Sequence, residues 1–524
     1  MNIGYIRSRK SLLSQIHGEK CWPTVDKVSP CEEACPIHMD VPSYVIAIAQ
    51  GKFKEALDIV RETNPFPSIC GRVCHHPCES ACARGFVDRP IAIEWLKRYV
   101  GEYEQNSGGK PRKPRRKHEG KVAVIGSGPA GLTAAYDLAR QGYPVCVYEA
   151  LPVAGGMLAA GIPEFMLSKE IVAAEVKYIE DSGVEIKTDM RVGIDVTMED
   201  LRAQGFKAIL LASGAWKSLQ LGIPGEDLKG VLPALPFLRD VRIGEKTKLK
   251  GTVAVIGGGN VALDAARTAL RLGAKKVFLA CLESREEMPA YDWEVAAAEE
   301  EGVEMRPSLS PQRLVSRLGD RVNGVDFRKV TSTTRNDDGS MSWTLADGPG
   351  AEQSVKADSV IVAIGQGPDP SFVDGVDLAG RGAFSVDPDT MATNVAGIFA
   401  AGDAVKAPGT IVEAIAHGHV VAQSIDRFLQ GKDLKKRRSR APKEVINFDD
   451  VEMPAFLAKR DRWDMPSLSQ KDAVRSFEET ELGYSAWQAV AEARRCMNCR
   501  MCGNCVFGRG QICLETSTRL LAVK

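Results

Sequence analysis

The sequence lacks long apolar runs and any excess of charge of one sign. No stretch approaches the ~18 consecutive apolar residues of a membrane-spanning helix, so no membrane span is predicted. Lysine plus arginine and aspartate plus glutamate each number 68, which excludes a wholly basic nucleic-acid binder and a polyanionic tail protein. The start of the chain also lacks the apolar core of a secretory signal. A cytoplasmic protein is therefore expected.

Cysteine is almost absent from the long middle of the chain. Of the 14 cysteines, seven lie between Cys21 and Cys82, and five lie between Cys496 and Cys513. Because disulfides are rare in a reducing cytosol, such clusters favour metal binding or redox chemistry. The two that remain, Cys146 and Cys281, fall on predicted strands and are interpreted as small buried core residues.

The middle of the chain contains two copies of a strand, a glycine-rich turn and a helix. In the first copy, the strand 122–125 leads into a G-x-G-x-x-G turn and an alanine-rich helix. The first glycine makes the turn, the second lets the backbone approach a pyrophosphate, and the third lets the helix pack closely on the strand. A second strand ends in Glu149, which can accept hydrogen bonds from ribose hydroxyls. The candidate residues of this first dinucleotide site are Gly126, Gly128, Pro129, Ala130, Gly131 and Glu149.

The second copy predicts a nicotinamide dinucleotide site. The strand KKVFLACLES is expected to end at Glu283, where a carboxylate accepts from ribose hydroxyls and repels a 2′-phosphate. This favours NAD(H) over NADP(H), although Arg285 is close enough in sequence to reach a 2′-phosphate. The candidate residues of this site are Gly257, Gly259, Asn260, Val261, Ala262, Glu283, Arg285 and Gly365.

Three further segments, GGMLAAGIPEF, FKAILLASGA and TNVAGIFAAGDAV, resemble those of flavoproteins with two dinucleotide-binding domains. The resemblance implies that the first site holds FAD and that Asp403 binds its ribityl chain. It adds to the FAD residues Gly156, Leu158, Ala212, Gly214, Gly402, Asp403 and Ile411. Related disulfide reductases carry a C-x-x-C pair beside the flavin, but none lies between Gly126 and Asp403. Electrons must therefore leave the flavin by another route.

The cysteine clusters have spacings typical of iron–sulfur ligands. Four cysteines follow one another at intervals of four from Cys70, and Cys35 is followed by proline. Four-iron clusters and tetrahedral zinc sites both use about four thiolates, so zinc is the principal alternative. The candidate ligands are Cys21, Cys31, Cys35, Cys70, Cys74, Cys78, Cys82, Cys496, Cys499, Cys502, Cys505 and Cys513.

The run from CEEACPIHMDVPSY to RPIAIEWLKR resembles the N-terminal domain of the glutamate synthase small subunit and the N-terminal half of dihydropyrimidine dehydrogenase. The resemblance implies two [4Fe–4S] clusters. The family, however, has a C-x-x-C pair shortly before the position of Cys31, and a Glu or Gln ligand where this chain has Lys97. Either one cluster uses Cys35, Cys70, Cys74 and Cys78, or a second cluster uses Cys31 and Cys82 with further ligands.

The C-terminal run C-x-x-C-x-x-C-x-x-C begins at Cys496 and is close to a bacterial ferredoxin pattern. Cys496 and Cys499 could supply the missing pair, all four cysteines could hold an additional cluster, or the run could be a zinc knuckle. One to three clusters are therefore compatible with the sequence.

The predicted fold class is α/β, with two Rossmann-like domains, an N-terminal helical iron–sulfur domain and a short cysteine-rich C-terminal tail. The helical domain is expected to contain two short helices broken at Gly51 and another over 90–100. The NAD domain is inserted in the FAD domain, and SVIVAIGQGPDP is taken as the strand that returns to it. The predicted domains are 1–105 for the clusters, 121–225 with 355–430 for FAD, 226–354 for NAD(P)H, and 431–524 for the linker and cysteine-rich tail.

These features predict an NADH oxidoreductase subunit that exchanges electrons among NAD(H), FAD and [4Fe–4S] clusters. Flavin is needed because nicotinamide transfers two electrons at once and a cluster accepts one. The expected partner is a larger redox enzyme subunit or a ferredoxin-like carrier, which implies a hetero-oligomer. The alternatives are a glutamate synthase small subunit proper, a stand-alone diaphorase, a disulfide reductase and a zinc-stabilised scaffold without enzymatic activity.

Overall fold

The computed structural model describes residues 27–109, 117–244, 248–316, 319–336, 340–406, 409–436, 444–445 and 459–499, together with 111, 114 and 115. The chain divides into two units. The helical unit comprises residues 1–109, 436–466 and 483–524, and the α/β unit comprises residues 110–435 and 467–482. None of the helices in the described part of the chain is both long and apolar enough to cross a membrane.

The helical unit is built from short helices and one long one. Its α-helices are Pro30–Glu33, Val41–Ala49, Phe53–Arg61, Pro67–Val73, Pro77–Ser80, Ile93–Ser107 and Ala486–Ala493. A 3₁₀ turn spans Ala83–Phe86, and the strands Lys27–Val28 and Glu444–Val445 pair in parallel.

Two predicted helices flank Gly51, as expected from their apolar spacing. The first begins at Val41, where Asp40 accepts a hydrogen bond from the Ser43 N–H at 3.2 Å. The second begins at Phe53, whose ring packs edge-on against Tyr99 of the long helix at 5.0 Å between centroids. Tyr44 of the first helix donates from its hydroxyl to the Ile93 carbonyl oxygen at 3.1 Å, so both helices contact the helix Ile93–Ser107.

The long helix extends beyond the predicted 90–100 segment, from Ile93 to Ser107. Its second half carries few apolar residues, so hydrophobic spacing alone did not indicate it. Ion pairs stabilise this half instead, because Glu102 accepts from Arg72 and Arg98 at 2.8 Å each. Glu104 is buried in an ion pair with Arg61.

The first sheet of the α/β unit has five parallel strands. Their order is Ile398–Ala400, Phe206–Leu211, Lys121–Ile125, Val145–Tyr148 and Glu185–Lys187. The helices that follow these strands or pack beside them are Pro129–Gln141, Met157–Ala160, Lys169–Asp181, Met198–Ala203 and Ile411–Leu429. The predicted strand 122–125 is therefore confirmed as the central strand of a doubly wound sheet.

The second sheet also has five parallel strands. Their order is Glu304–Arg306, Lys276–Ala280, Thr252–Ile256, Ser359–Val362 and Val231–Pro233. Its helices are Ala234–Ile243, Asn260–Arg271 and Asp292–Glu300. All of these strands lie between Leu211 and Ile398 in the chain, so one Rossmann-like domain is inserted in the other.

The assignment of SVIVAIGQGPDP to the returning half of the first domain is wrong for its strand. Ser359–Val362 pairs in parallel with Thr252–Ile256 on one side and Val231–Pro233 on the other. All four of its residues are buried, as in any central strand of a parallel sheet, so the sequence alone could not choose between the two sheets. The chain returns to the first sheet only at Ile398–Ala400.

An antiparallel sheet packs beside the second sheet and was not predicted. Its strands are Leu309–Val315, Gly324–Arg335, Met341–Leu345 and Glu352–Lys356. Phe327 of this sheet meets Phe278 of the second sheet edge-on at 6.4 Å between centroids. The remaining elements are the paired strands Lys217–Ser218 and Gln366–Gly367, the 3₁₀ turns Gly380–Gly382 and Gly402–Ala404, and the helix Gln470–Ala473.

Candidate functional site

The first glycine turn connects the central strand of the first sheet to the helix Pro129–Gln141. Gly126 has a φ of 102°, and a Cβ there would stand 2.3 Å from the Ala212 carbonyl oxygen. Gly128 is the N-cap of the helix without a side-chain hydrogen bond, and an added Cβ would meet nothing within 4 Å. The helix N-terminus is therefore open where a diphosphate group can approach its N–H groups.

Glu149 lies beside this turn, directly after the strand Val145–Tyr148. Its Oε2 accepts a hydrogen bond from the Ser127 N–H at 3.0 Å, and its Oε1 accepts from the Leu151 N–H at 2.9 Å. Ser127 Oγ in turn accepts from the Gly155 N–H at 2.9 Å. The predicted acceptor Glu149 thus also holds the turn to the segment containing Gly156. Ser127 was not singled out from the sequence because it stands at a variable position of the motif.

Gly156 and Leu158 lie on the side of this site that faces Gly128. A Cβ on Gly156 would lie 2.8 Å from the Gly128 Cα, so the two glycines face each other across a narrow gap. Leu158 is buried in the short helix Met157–Ala160. Side chains at either glycine would close the approach to the helix N-terminus.

The predicted second FAD segment meets the first glycine turn at the carboxyl end of the sheet. A Cβ on Gly402 would stand 3.0 Å from the Ala130 Cβ, which brings Asp403 to the same edge. Asp403 Oδ1 accepts a hydrogen bond from the Gly409 N–H at 3.0 Å, and burial raises the pKa of this carboxyl group. Ile411 begins the helix Ile411–Leu429 immediately afterwards.

His417 lies at this edge, within the segment 411–418 that the resemblance to flavoproteins implies is near the flavin ring, but the sequence did not single it out. Its Nδ1 accepts a hydrogen bond from the Gly402 N–H at 3.3 Å, and burial lowers the pKa of the ring. The neutral imidazole is therefore the form that supports the turn before Asp403. His417 lies within the helix Ile411–Leu429 and belongs to no local sequence motif, so the sequence alone could not identify it.

The first site fits a dinucleotide such as FAD. Ala212 and Gly214 follow the strand Phe206–Leu211, and Ala212 borders Gly126. Between them, the Ser213 Oγ is buried without a hydrogen-bond partner in the described part of the chain. An open helix N-terminus and an unsatisfied buried hydroxyl at one sheet edge are suited to a polar ligand.

The second glycine turn repeats the geometry of the first. Gly257 has a φ of 137°, and a Cβ there would stand 2.2 Å from the Ala363 carbonyl oxygen. Gly259 is the N-cap of the helix Asn260–Arg271 without a side-chain hydrogen bond, and a Cβ there would meet nothing within 4 Å. Val261 and the buried Ala262 form the first turn of this helix. Gly365 follows the neighbouring strand Ser359–Val362.

Glu283 lies against this turn, although the strand before it ends at Ala280 rather than at Glu283. A Cβ on Gly258 would stand 3.1 Å from the Glu283 Oε2, so the carboxylate borders the glycine turn. Arg285 instead forms an ion pair with Glu299 at 3.0 Å. The negative charge is therefore closest to the turn, and the positive charge of Arg285 is already paired.

Cys146 and Cys281 are core residues, as interpreted from the sequence. They are 4% and 3% exposed and lie within the apolar cores of the first and second sheets. Burial raises the pKa of Cys146 to about 11 and that of Cys281 to about 12. Both are therefore neutral thiols near pH 7 and poor nucleophiles.

Three buried cysteines of the helical unit, Cys70, Cys74 and Cys78, lie around Lys97. Burial alone would lower the pKa of Lys97, but its electrostatic interaction with these cysteines raises the pKa above its usual value. Cys35 interacts electrostatically with Cys74 and with Cys78. The structure thus brings together the predicted set Cys35, Cys70, Cys74 and Cys78, with an ammonium group beside it.

A separate cavity of the helical unit is lined by the other described cysteines. They are Cys31, Cys82, Cys496 and Cys499. Val41, Val45, Ile91 and Ile93 provide much of the remaining lining. The candidate ligands Cys21, Cys502, Cys505 and Cys513 lie outside the described residues.

Neither cysteine set is arranged around one ion. Among the described residues, no group of three or more His, Cys, Asp or Glu side chains could hold a single metal ion.

Two open glycine turns on parallel sheets, one domain inserted in the other, define an oxidoreductase of the two-dinucleotide class. Residues 120–418 match the family described as pyridine nucleotide-disulphide oxidoreductase, and the chain belongs to this family. Residues 14–109 match the family described as dihydropyrimidine dehydrogenase domain II, 4Fe-4S cluster. The resemblances inferred from the sequence are therefore confirmed, including FAD and [4Fe–4S] as the cofactors of these domains.

Curated relatives match most of the chain. The NADP(+)-dependent formate dehydrogenase subunit beta of Moorella thermoacetica is 40% identical over 514 residues, covering 92% of this chain and 72% of that protein. The NADPH-Fe(3+) oxidoreductase subunit beta of Geobacter sulfurreducens is 37% identical over 511 residues, covering 91% and 76%. The glutamate synthase [NADPH] small chain of Azospirillum brasilense is 34% identical over 423 residues, covering 77% and 86%.

Among solved structures, FprA from Mycobacterium tuberculosis in complex with NADPH has a similar fold. The TM-score is 0.51 at 19% sequence identity, and the match covers 60% of this chain and 85% of that one. This likeness supports the arrangement of the two dinucleotide domains.

Proposed function

We propose that the chain is an electron-transfer subunit that exchanges electrons among NAD(H), FAD and [4Fe–4S] clusters, and with a partner redox enzyme. The observation that carries this proposal is the combination in one chain of two open glycine turns and two buried cysteine sets, with no C-x-x-C pair between Gly126 and Asp403. Bound FAD supplies the conversion between hydride transfer and single-electron transfer.

The first site would hold the FAD. The open helix N-terminus at Gly128 binds the diphosphate, and Glu149 accepts from the adenosine ribose while it fixes the turn. Asp403 is the proposed partner of the ribityl hydroxyls. Its hydrogen bond from the Gly409 N–H holds it at the carboxyl edge of the sheet. No side-chain acid or base is needed for hydride transfer, so none is assigned.

The second site would bind NADH in preference to NADPH. Glu283 borders the glycine turn, where its carboxylate accepts from ribose hydroxyls and repels a 2′-phosphate. Arg285 is paired with Glu299 and is less available to that phosphate. The competing candidate is NADPH, which is favoured by the names of the formate dehydrogenase and Fe(3+) oxidoreductase relatives.

The set Cys35, Cys70, Cys74 and Cys78 would hold one [4Fe–4S] cluster. All four side chains are buried in the helical unit, and Cys70, Cys74 and Cys78 lie around Lys97. Electrons can pass in either direction through such a cluster, so the proposal covers reduction and oxidation of NAD(H).

The partner is proposed to be a larger metal-containing oxidoreductase subunit, which makes the assembly a hetero-oligomer. The support is that the relatives are named as beta subunits or small chains. A glutamate synthase small subunit is the second candidate, supported by the Azospirillum relative.

Anaerobic purification followed by reduction tests the proposal. We expect one FAD and about four or eight irons per chain, with matching acid-labile sulfide. NADH should bleach the flavin and then produce the electron paramagnetic resonance (EPR) signals of reduced clusters. Zinc in place of iron, or a flavin that neither NADH nor NADPH reduces, contradicts the proposal. Affinity purification from the native source would then identify the partner.

A further inference from the structure

Three separate segments of the helical unit meet at one cavity, and each contributes cysteine. Cys31 lies in the helix Pro30–Glu33, and Cys82 lies after the helix Pro77–Ser80. Cys496 and Cys499 come from the segment after Ala486–Ala493. The only charged side chain in the lining, among the described residues, is Arg84. Its guanidinium is paired with Asp88. The cavity is therefore apolar apart from its four sulfurs and that paired cation.

The residue before Cys496 fixes this segment beside Cys82. Arg495 is 2% exposed, and it donates to Asp88 Oδ1 at 2.7 Å and to Glu492 Oε1 at 2.6 Å. Arg84 donates from its Nη1 to the Arg495 carbonyl oxygen at 3.3 Å. The loop after Cys82 and the residue before Cys496 are thus held together by buried, charge-assisted hydrogen bonds.

The helix that precedes Cys496 is also anchored. It packs against the helix Val41–Ala49, whose Val41 and Val45 line the cavity. Glu492 at its end accepts from the Ala92 N–H at 2.9 Å and the Trp463 N–H at 3.1 Å. Helix packing and the hydrogen bonds to Glu492 therefore fix the positions of Cys496 and Cys499 within the helical unit.

The sulfurs receive the polar contacts that cluster ligands need. The backbone N–H groups of Arg84 and Ile91 lie near the Cys82 thiol. The Ser29 Oγ lies 3.3 Å from the Cys31 Sγ. Hydrogen bonds to sulfur are one of the means by which proteins set the reduction potential of an iron–sulfur cluster.

We propose that Cys31, Cys82, Cys496 and Cys499 together hold one [4Fe–4S] cluster, distinct from the set around Lys97. Two ligands come from the N-terminal segment and two from the C-terminal segment. The inference deepens the proposed function, on which it rests, by assigning the ligands of a second cluster in the same electron path. It needs no ligand from residues outside the described part of the chain.

Paired substitutions in the full-length chain test this assignment. Cys496→Ala with Cys499→Ala, and Cys31→Ala with Cys82→Ala, should each remove about four irons and four sulfides per chain. The quadruple variant should lose no more than either pair, because all four residues serve one cluster. Cys35→Ala with Cys78→Ala should remove a different four, and this loss should add to the others.

Two results overturn the assignment. Losses of the two pairs that add to about eight irons would mean that the C-terminal cysteines hold a separate cluster. Full iron content in the Cys496→Ala, Cys499→Ala variant would mean that the pair is not a ligand. Cys146→Ala, in the core of the first sheet, is the control and should keep all its iron.

Single serine substitutions separate ligand loss from loss of folding. Cys499→Ser and Cys82→Ser each offer an oxygen ligand, and both should retain iron while altering the EPR signal of the same cluster. Alteration of different signals, or of none, overturns the shared site. Flavin bleaching by NADH is measured in every variant, so a failure of the proposed function is seen independently of the iron count.

Discussion

Lys97 carries an amino group that is buried among thiols in the helical unit. It is 2% exposed, and its interaction with Cys74, Cys70 and Cys78 raises its pKa. Where iron–sulfur clusters are concerned, net charge nearby is one of the determinants of potential. A cation in this position favours the reduced, more negative state of the proposed first cluster.

Replacing this cation should therefore lower the cluster potential. In Lys97→Met, which removes the charge without offering an oxygen ligand, we expect a more negative midpoint potential for the cluster of Cys35, Cys70, Cys74 and Cys78, measured by redox titration with EPR detection. Lys52→Met, at an exposed lysine paired with Glu55, is the matched control. An unchanged or raised potential in Lys97→Met would show that the ammonium does not act on the cluster.

Glu283 is the residue that we propose sets the preference for NADH over NADPH. Glu283→Gln removes a charged hydrogen-bond acceptor worth about 1.5–3 kcal/mol, so NADH should bind roughly 10- to 100-fold more weakly. NADPH binding should weaken less, because repulsion of its 2′-phosphate is lost as well. Rates of flavin bleaching at a series of nucleotide concentrations measure both effects.

The companion variant is Glu299→Gln. It leaves Glu283 in place but removes the ion-pair partner of Arg285. It should improve NADPH binding and leave NADH binding nearly unchanged. If Glu283→Gln weakens both nucleotides equally, the carboxylate has no part in the choice between them.

Among the elements, the helices Pro129–Gln141 and Ile411–Leu429 make a close crossing beside the first glycine turn. A Cβ on Gly418 would stand 2.6 Å from the Thr133 Cβ and 2.7 Å from the Ala130 carbonyl oxygen. Gly418→Ala should therefore destabilise the α/β unit by about 1–3 kcal/mol. Thermal unfolding followed by FAD release should show a lower midpoint, whereas Gly380→Ala, where the Cβ meets nothing within 4 Å, should not.

The second sheet is supported by a buried ion-pair group between two of its helices. Glu301 accepts from Arg267 at 2.7 Å and from Arg271 at 2.6 Å, and all three side chains are at most 7% exposed. Burial alone would raise the pKa of Glu301, but the hydrogen bonds from Arg271 and Arg267 lower it below its usual value.

Because the folded state lowers this pKa, the stabilisation is present above the unfolded pKa and is lost as the pH falls through the folded value. Glu301→Gln should reduce the free energy of unfolding by about 3–5 kcal/mol at pH 7, since two buried cations lose their counter-charge. The difference from the unsubstituted chain should narrow below the ordinary pKa range of glutamate. Denaturant unfolding of the two chains at pH 7 and at a pH below the glutamate range measures this difference in the free energy of unfolding. A difference that is the same at both pH values would contradict the prediction.

The elements that carry a local signal were predictable, and those defined by distant pairing were not. Both glycine turns combine a buried strand, fixed glycine spacing and an uncapped helix within about 20 residues, so sequence alone located them. Ser359–Val362 has the same apolar character as any central parallel strand, and only its pairing with Thr252–Ile256 assigns it to the second sheet. The antiparallel sheet over Leu309–Lys356 has mixed, largely exposed strands and gave no clear alternation.

For the whole molecule, the contact between Arg495 and Asp88 joins early and late parts of the helical unit. Arg495→Met would leave the fully buried Glu492 without its cation and Asp88 with Arg84 alone, at a cost of about 3–5 kcal/mol. We expect faster amide hydrogen exchange in Ala486–Ala493 and earlier thermal loss of clusters, with FAD retained. Arg494→Met, the exposed neighbour, should leave exchange unchanged; equal effects of the two variants would refute the role of this contact.

The sequence could not reveal this arrangement of the molecule. The spacing around Cys496 left three possibilities open, because no local rule connects residues 411 positions apart, as Arg84 and Arg495 are. Composition located the cysteine clusters, but only the tertiary structure assigns Cys31 and Cys82 to the same cavity as Cys496 and Cys499.

The chain enters the helical unit, leaves it for the α/β unit, and returns to it twice, in residues 436–466 and again from residue 483. This order has a consequence for biosynthesis. With 411 residues between Arg84 and Arg495, a ribosome working at about 5–20 residues per second needs roughly 20 to 80 seconds to make the second half of the cavity after the first. The cavity of Cys31 and Cys82 must therefore await the late segment, so the cluster proposed for it would be inserted only after the α/β unit has been translated.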